Sequence, residues 1–329
     1  MMDRHIGDFT NHLAQAIEIG KKTAFKQSQN TINSVLICGL GGSGIGGTII
    51  SQLIKQEIKV PVVINKDYFI PEFVNKNTLV VCSSYSGNTE ETLSMYEQAR
   101  AKGAEIAIVT SGGKFEEIAK SEMHNIIVIP GGLPPRAAFG LAFPQLFYLL
   151  NQYQLINNSF EAEFQKSIEL IDNKEAEIKA EAKVIAAKLY NKFPIIYSGP
   201  ELEGVCVRFR QQINENSKRL ALHHTLPEMN HNELVGWKKK NEDSTVLFFK
   251  TKLDYYRNVE RENYSKEVIS KYAGEVVDIN GQGESLIVNA LYLIHLGDWI
   301  SELLGQLNQV DTTEVNIITG LKNMLGDLD

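Results

Sequence analysis

Short, nearly continuous aliphatic runs alternate along this chain with segments long enough to form helices. Runs of this kind predict strands that are covered on both faces, because a half-exposed strand alternates apolar with polar residues. Their alternation with helical segments predicts a doubly wound, mostly parallel α/β sheet. In the first half, the predicted strands are residues 34–38, 60–64, 78–82, 105–109 and 125–129, and the predicted helices are 45–56, 89–102 and 115–121.

A second alternation follows a long charged segment. Residues 157–191 are rich in Glu, Lys and Ala and predict one connecting helix. The next predicted strands are 193–197, 245–249 and 275–279, with helices at 202–220, 258–271 and 285–304. Tyr197-Ser198-Gly199 is weakly similar to Ile37-Cys38-Gly39, since in both places a predicted strand ends at a glycine before a helix. This similarity suggests two related α/β halves. At about 150 residues per domain, we expect an N-terminal domain over 1–156, beginning with an amphipathic helix at 4–25, and a second domain over 157–329.

Composition and charge exclude several classes of protein. The chain has 33 Lys+Arg against 40 Asp+Glu and a net charge of −7, with no basic block that would follow a phosphate backbone, so nucleic acid is not expected as a partner. Cys38, Cys82 and Cys206 are odd in number and show no CxxC spacing, which argues against disulfides and zinc and favours a reducing cytoplasm. No signal peptide is expected, because Asp3, Arg4, His5 and Asp8 are mixed among the apolar residues of the N-terminus. No membrane span is expected, because glycine and polar residues interrupt the uncharged stretches 31–54 and 137–160.

A glycine-rich segment, residues 39–47, follows the first predicted strand and opens a helix. Glycines let the backbone approach a ligand closely, and the amides of a first helical turn favour an anion. Gly39, Gly41 and Gly44 formally satisfy GxGxxG, and Asp67 lies roughly where a ribose-binding acid is expected, about 20 residues on. A dinucleotide site and a ligand-free tight turn are both open alternatives at this point.

Hydroxyl side chains crowd the turn after the third predicted strand. Ser84, Ser86 and Thr89 lie between the carboxyl end of that strand and the next helix, where open α/β sheets bind ligands. These hydroxyls can donate hydrogen bonds to phosphate oxygens. The alternative is helix capping by Thr89, although capping alone does not explain two anion-favouring loops on successive strands.

Three further side chains are candidates for chemistry. Arg136 follows two prolines and could bind a carboxylate, a phosphate or a developing enediolate oxygen, or could be a surface arginine on a rigid loop. Glu215 is a carboxylate on a polar helix, where a single glutamate is usually solvated. His231 is flanked by asparagines that could orient its ring, whereas His223 and His224 lack such a frame. No helical His pair indicates a metal site.

Together, these segments resemble the bifunctional phosphoglucose/phosphomannose isomerases of the sugar isomerase (SIS) superfamily. The likeness spans residues 39–236 in family order, with a weaker continuation to Lys322. Its motifs are Gly41-Gly42-Ser43-Gly44-Ile45-Gly46-Gly47, Ser84-Tyr85-Ser86-Gly87-Asn88-Thr89-Glu90-Glu91-Thr92, Pro134-Pro135-Arg136, Asn214-Glu215-Asn216 and Asn230-His231-Asn232-Glu233.

The resemblance implies two SIS-type α/β domains, a homodimer with active sites near the subunit interface, and no metal or redox cofactor. It implies interconversion of glucose 6-phosphate or mannose 6-phosphate with fructose 6-phosphate. By matching position, the residues expected to hold the substrate, chiefly its phosphate, are Gly42, Ser43, Ser84, Ser86 and Thr89.

Roles in the chemistry are implied in the same way. Arg136 would stabilise the enediolate, Glu215 would move the proton between C1 and C2, and His231 would help to open the sugar ring. Lys322 resembles the C-terminal lysine that the family also uses in ring chemistry. Either Thr312 or Thr313 would serve the use of mannose 6-phosphate, although this segment lacks the proline that the family has there.

Two other functions remain as alternatives. A SIS-type regulatory module would sense a sugar phosphate without turning it over, and a nicotinamide dehydrogenase would use the glycine-rich segment. Glu215 and His231 discriminate the isomerase from the sensor, because a sensor needs the hydroxyl loops but no base. As a base beside an arginine, Glu215 would need a pKa raised toward neutrality by partial burial.

Overall fold

The structure, a computed structural model, describes residues 1–328. Within these residues nine strands form two parallel sheets. The first sheet contains β1 (Ser34–Cys38), β2 (Val62–Asn65), β3 (Thr78–Ser83), β4 (Glu105–Thr110) and β5 (Asn125–Val128). The second contains β6 (Phe193–Ser198), β7 (Leu222–Thr225), β8 (Asn241–Lys250) and β9 (Ala273–Asn280).

The two sheets share one strand order. The first runs β2-β1-β3-β4-β5 and the second runs β7-β6-β8-β9, so β6 occupies the place of β1 and β8 the place of β3. All the pairings are parallel. The central strands β1 and β3 are buried along their whole length, because helices cover both faces. The predicted fold class, a doubly wound parallel α/β architecture in two halves, is confirmed.

Eleven α-helices surround and connect the sheets in the described chain. They are α1 (Met2–Gly7), α2 (Phe9–Lys22), α3 (Gly41–Leu53), α4 (Glu90–Ala101), α5 (Gly113–Glu122), α6 (Phe139–Gln152), α7 (Phe160–Leu189), α8 (Glu203–Ser217), α9 (Tyr256–Ile269), α10 (Leu286–Leu307) and α11 (Asn316–Gly326). The predicted connecting helix corresponds to α7, which packs against α10. None of these helices is both long and apolar enough to cross a membrane.

One apolar core extends through both halves, from Met2 on α1 to Leu304 on α10. Within it, α3 packs against α8, the equivalent helix of the second half. A Cβ added at Gly204 would lie 2.7 Å from a side-chain carbon of Ile49, so glycine permits this close approach. The predicted domain boundary at 156/157 lies between α6 and α7, and remains a prediction because the halves share this core.

Several elements differ from the sequence prediction. The helix predicted at 4–25 is two helices that break at Asp8. Helix α3 begins at Gly41, four residues earlier than predicted, because tertiary packing stabilises a glycine-rich first turn that propensity disfavours. Strand β7 was missed, since Leu222-His-His-Thr225 is not an aliphatic run. Helix α11 was also missed.

Candidate active site

The glycine-rich segment forms a tight turn from β1 into α3. Gly41 has a φ of +53°, in the left-handed region that favours glycine. A Cβ at Gly44 would lie only 2.2 Å from the carbonyl oxygen of Gly39, and one at Gly42 would lie 3.1 Å from the carbonyl oxygen of Pro135. The segment therefore brings the start of α3 against the loop that carries Arg136.

The hydroxyl loop between β3 and α4 lies beside the start of α3. The Ser43 hydroxyl accepts a hydrogen bond from the backbone N–H of Tyr85 at 3.1 Å. The hydroxyls of Ser84 and Thr89 lie 2.8 Å apart, with Ser84 buried, Thr89 half-buried and Ser86 exposed. Thr89 occupies the N-cap position of α4, but its side chain does not cap the helix. Side-chain capping therefore does not account for this threonine.

Tyr85 joins this loop to the segment between β5 and α6, which also carries Arg136. Its phenol O–H donates to the carbonyl oxygen of Pro130 at 3.1 Å and accepts from the N–H of Leu133 at 3.0 Å. The pKa of Tyr85 is raised by burial, so the phenol stays protonated. The one feature of the sequence that points to Tyr85 is its position within the hydroxyl-rich motif at residues 84–92.

Arg136 connects the two halves of the chain. It is 3% exposed, and its Nε donates to Oδ1 of Asn216 at 2.7 Å. Its Nη1 lies 3.3 Å from Oε2 of Glu215, and its Nη2 donates to the carbonyl oxygens of Thr312 and Thr313 at 2.7 and 3.0 Å. Because a guanidinium has five N–H donors, these four contacts leave one Nη1 N–H without a partner among residues 1–328.

Burial lowers the pKa of Arg136, and the neighbouring Glu215 opposes that shift. A guanidinium stays charged in proteins, so the site holds a buried cation next to a carboxylate. Glu215 is 28% exposed and lies near the end of α8. The partial burial predicted for Glu215 is therefore present.

A second buried ion pair fixes the backbone at Arg136. Arg208 donates to Oδ2 of Asp298 at 2.7 Å and to the carbonyl oxygen of Arg136 at 3.3 Å. Gln212 donates to the other oxygen of Asp298 at 2.9 Å. Removing one partner of such a buried pair costs about 3–5 kcal/mol, because the other charge loses its compensation.

The C-terminal segment closes one side of the site. Lys218, which follows α8, donates to the carbonyl oxygens of Glu215 and Glu314 at 2.6 and 2.7 Å. These contacts and the two threonine carbonyls on Arg136 hold residues 312–314 against the end of α8. A cavity of about 230 Å³ opens there between Glu215 and the first turn of α11. Neither Lys218 nor Glu314 was singled out from the sequence.

The structure does not bring two of the sequence-predicted residues to Arg136 and Glu215. His231 is exposed, in a short 3₁₀ turn beyond β7, and Lys322 is exposed on α11. The amides of Asn230 and Asn232 bond to Ser265 and Glu228 rather than to the His231 ring. The proposed framing of His231 by its neighbouring asparagines is therefore wrong for this chain.

Comparisons with known proteins agree with this architecture. A family model described as the bacterial phospho-glucose isomerase C-terminal SIS domain matches residues 178–325. The C-terminal domain of glucosamine-fructose-6-phosphate aminotransferase from Francisella tularensis has a similar fold, with a TM-score of 0.74 over 95% of this chain and 98% of that chain, at 13% identity. The fold is therefore that of the SIS-domain proteins.

Two curated relatives narrow the assignment. The bifunctional phosphoglucose/phosphomannose isomerase of Caldicellulosiruptor bescii is 37% identical over 99% of each chain. The enzyme of that name from Aquifex aeolicus is 37% identical over 88% of this chain and 90% of its own. This chain belongs to the family of bifunctional phosphoglucose/phosphomannose isomerases, which confirms the resemblance noted from its motifs. These relatives do not support the alternative interpretation of the chain as a nicotinamide dehydrogenase.

Proposed function

We propose that this protein interconverts glucose 6-phosphate, and also mannose 6-phosphate, with fructose 6-phosphate through a cis-enediolate. The observation that carries the proposal is the 3.3 Å contact between Arg136 of the first half and Glu215 of the second, beside two hydroxyl-bearing turns. A sensor of sugar phosphates needs the turns alone, whereas this arrangement adds a carboxylate that can accept a proton.

Substrate binding falls to the first half in this proposal. Ser84, Ser86 and Thr89 donate hydrogen bonds to the phosphate dianion, together with Ser43 and backbone N–H groups at the start of α3, where the helix dipole favours negative charge. Gly42 is proposed to contribute its backbone to this turn, since its missing side chain gives room to the loop that carries Arg136. Anchoring the phosphate places C1 and C2 near the end of α8, and that positioning lowers the entropy cost of the chemical step.

Proton transfer falls to the second half. The Glu215 carboxylate takes the proton from C2 of the aldose, and the electron pair forms the C1–C2 double bond of the enediolate. The same carboxylic acid returns the proton to C1, while a second proton moves from O2 to O1. The remaining Nη1 N–H of Arg136 stabilises the enediolate oxygen. Since the substrate is oxidised at one carbon and reduced at the next, the balance needs no redox cofactor.

Ring opening is proposed for His231, assisted by Lys322. Neither side chain has a hydrogen bond or ion pair with Glu215 within residues 1–328 of one chain, and we propose that a second copy supplies His231 in a homodimer. Helix α11 is consistent with such an interface, since it has no buried residue and exposes Ile317, Leu321 and Met324. Thr312 or Thr313 is proposed to serve the use of mannose 6-phosphate, from the segment that Arg136 holds.

The proposed compartment is the cytoplasm. Cys38, Cys82 and Cys206 are all buried free thiols, and burial raises the pKa of Cys38 and Cys206 to about 12. Such thiols are protonated and unreactive, which suits a protein without disulfides in a reducing environment.

A coupled assay tests the proposed function. Purified protein is given fructose 6-phosphate in D₂O, and glucose 6-phosphate and mannose 6-phosphate are detected with deuterium at C2. We expect turnover with solvent deuterium incorporated at C2, because the carboxylic acid exchanges its proton with water. A protein that binds fructose 6-phosphate in calorimetry but forms neither aldose would be the regulatory module instead.

A further inference from the structure

The loop that carries His231 is fastened by a carboxylate two residues away. His231 ends one 3₁₀ turn, Glu228–His231, and Glu233 begins the next, Glu233–Gly236. The imidazole of His231 has no hydrogen-bond partner within residues 1–328, so the loop backbone sets its direction. Whatever fixes the backbone at residue 233 therefore also orients His231.

Both carboxylate oxygens of Glu233 are engaged. Oε1 accepts a hydrogen bond from the phenol O–H of Tyr197, and Oε2 lies 2.6 Å from Nδ1 of His224. Because a carboxylate only accepts, Nδ1 of His224 carries the hydrogen in this pair. The backbone N–H of Glu233 donates to Oδ1 of Asn232 at 2.6 Å. The side chain and backbone of Glu233 are thus both held.

The two side-chain partners lie on neighbouring strands of the second sheet. Tyr197 on β6 and His224 on β7 are register partners in the parallel ladder, so their side chains leave the same face of the sheet. Tyr197 is fully buried and its O–H also accepts from the indole N–H of Trp237 at 3.3 Å. Burial is the main cause that raises the pKa of Tyr197, and the adjacent Glu233 raises it further. The phenol therefore remains protonated and can donate a hydrogen bond.

We propose that Glu233 is the positioning residue of His231: it ties the loop to adjacent strands of the second sheet, so that His231 meets the ring oxygen of the substrate at a fixed angle. This inference rests on the proposed isomerase function and on ring opening by His231. A glutamine at this position lacks the negative charge that strengthens both hydrogen bonds, and its N–H₂ group can pair with His224 only if that ring changes tautomer, so both ties are weakened.

The predicted signature separates ring opening from proton transfer. With fructose 6-phosphate, Glu233→Gln is expected to lower kcat by about tenfold to a hundredfold, the range for a displaced catalytic group, while KM changes little. The second substrate is 5-deoxyfructose 6-phosphate, which lacks the hydroxyl that closes the furanose ring. Exchange of its C1 hydrogen with D₂O needs Glu215 but no ring opening, so Glu233→Gln is expected to retain that exchange.

Glu228→Gln is the matched control. Glu228 is a carboxylate of the same loop, but it is exposed, and within residues 1–328 it accepts only from the Asn232 amide, at 2.8 Å. We expect wild-type rates with both substrates. Tyr197→Phe removes one tie and leaves the pair of Glu233 and His224, so it should show the same selective loss in smaller measure, and it serves as the test if Glu233→Gln does not fold.

Two results would overturn this inference. A parallel loss with both substrates in folded protein would mean general damage to the site, and unchanged rates with both would mean that Glu233 positions nothing. If the wild-type protein exchanges neither substrate, the proposed function itself fails. An active wild type with an unaffected Glu233→Gln variant refutes only the positioning role.

Discussion

The two halves of the chain share a strand order but use opposite ends of equivalent helices. In the first half, α3 presents its beginning, where Gly42 and Ser43 lie beside the hydroxyl loop. In the second half, the equivalent helix α8 presents its end, where Glu215 and Asn216 meet Arg136. The likeness between Ile37-Cys38-Gly39 and Tyr197-Ser198-Gly199 therefore reflects topology and not a repeated binding turn.

The packing of α3 on α8 explains how one site uses both ends. Gly204, in the first turn of α8, lies against Ile49 and Gln52, which are near the end of α3. At the other end, Asn216 meets Arg136, which lies against Gly42. The two helices thus run antiparallel, and the end of α8 reaches the start of α3. The candidate site therefore combines unlike ends of two equivalent helices.

The halves also differ in the chemistry that they bring. The first supplies mainly neutral hydroxyls and amides, which suit binding of a dianion, and the second supplies a carboxylate, which suits proton transfer. If this division is correct, substitutions in the second half lower turnover, and substitutions in the hydroxyl loop weaken substrate binding.

The largest expected effect is from Glu215→Gln. Because the amide cannot take the proton from C2, we expect kcat to fall by about a thousandfold or more, with fructose 6-phosphate still bound in calorimetry. Glu203→Gln, on the same helix but in its first turn, is the control and should be as active as wild type. Near wild-type turnover of Glu215→Gln would refute the base assignment.

A smaller effect of the other kind is expected from Ser86→Ala combined with Thr89→Ala. Each hydroxyl lost from a charged phosphate weakens binding, so we expect KM for fructose 6-phosphate to rise by roughly tenfold to a hundredfold, with a smaller change in kcat. Ser121→Ala, an exposed serine on α5, is the control. Steady-state kinetics measure both constants, and an unchanged KM would count against the phosphate role of this loop.

The smallest expected change in activity comes from mixing two inactive variants. It tests whether His231 of one subunit acts in the active site of the other. Subunits with Glu215→Gln and subunits with His231→Ala are inactive alone, and are co-refolded in equal amounts. If His231 comes from a second copy, half of the dimers are mixed and each has one intact site, which gives about a quarter of wild-type activity. If His231 serves its own chain, the mixture stays inactive.

Much of the fold could be predicted because local patterns determine it. The strands 34–38 and 78–82 are nearly continuous aliphatic runs, and the structure has them as β1 and β3, the latter one residue longer. Patterning failed at β7, where His223 and His224 replace the aliphatic residues of a buried strand. This edge strand is half-exposed and is stabilised by its pairing with β6.

The sequence by itself determined the fold class, the hydroxyl loop and the family, because these depend on residues that are close together along the chain. It also identified Arg136 and Glu215 as separate candidates. Only the tertiary structure decided that they touch, since they are 79 positions apart and their contact depends on the antiparallel packing of α3 and α8. It likewise decided that Tyr197, His224 and Glu233 form one cluster, because strand register and the fold of a loop have no signal in local sequence.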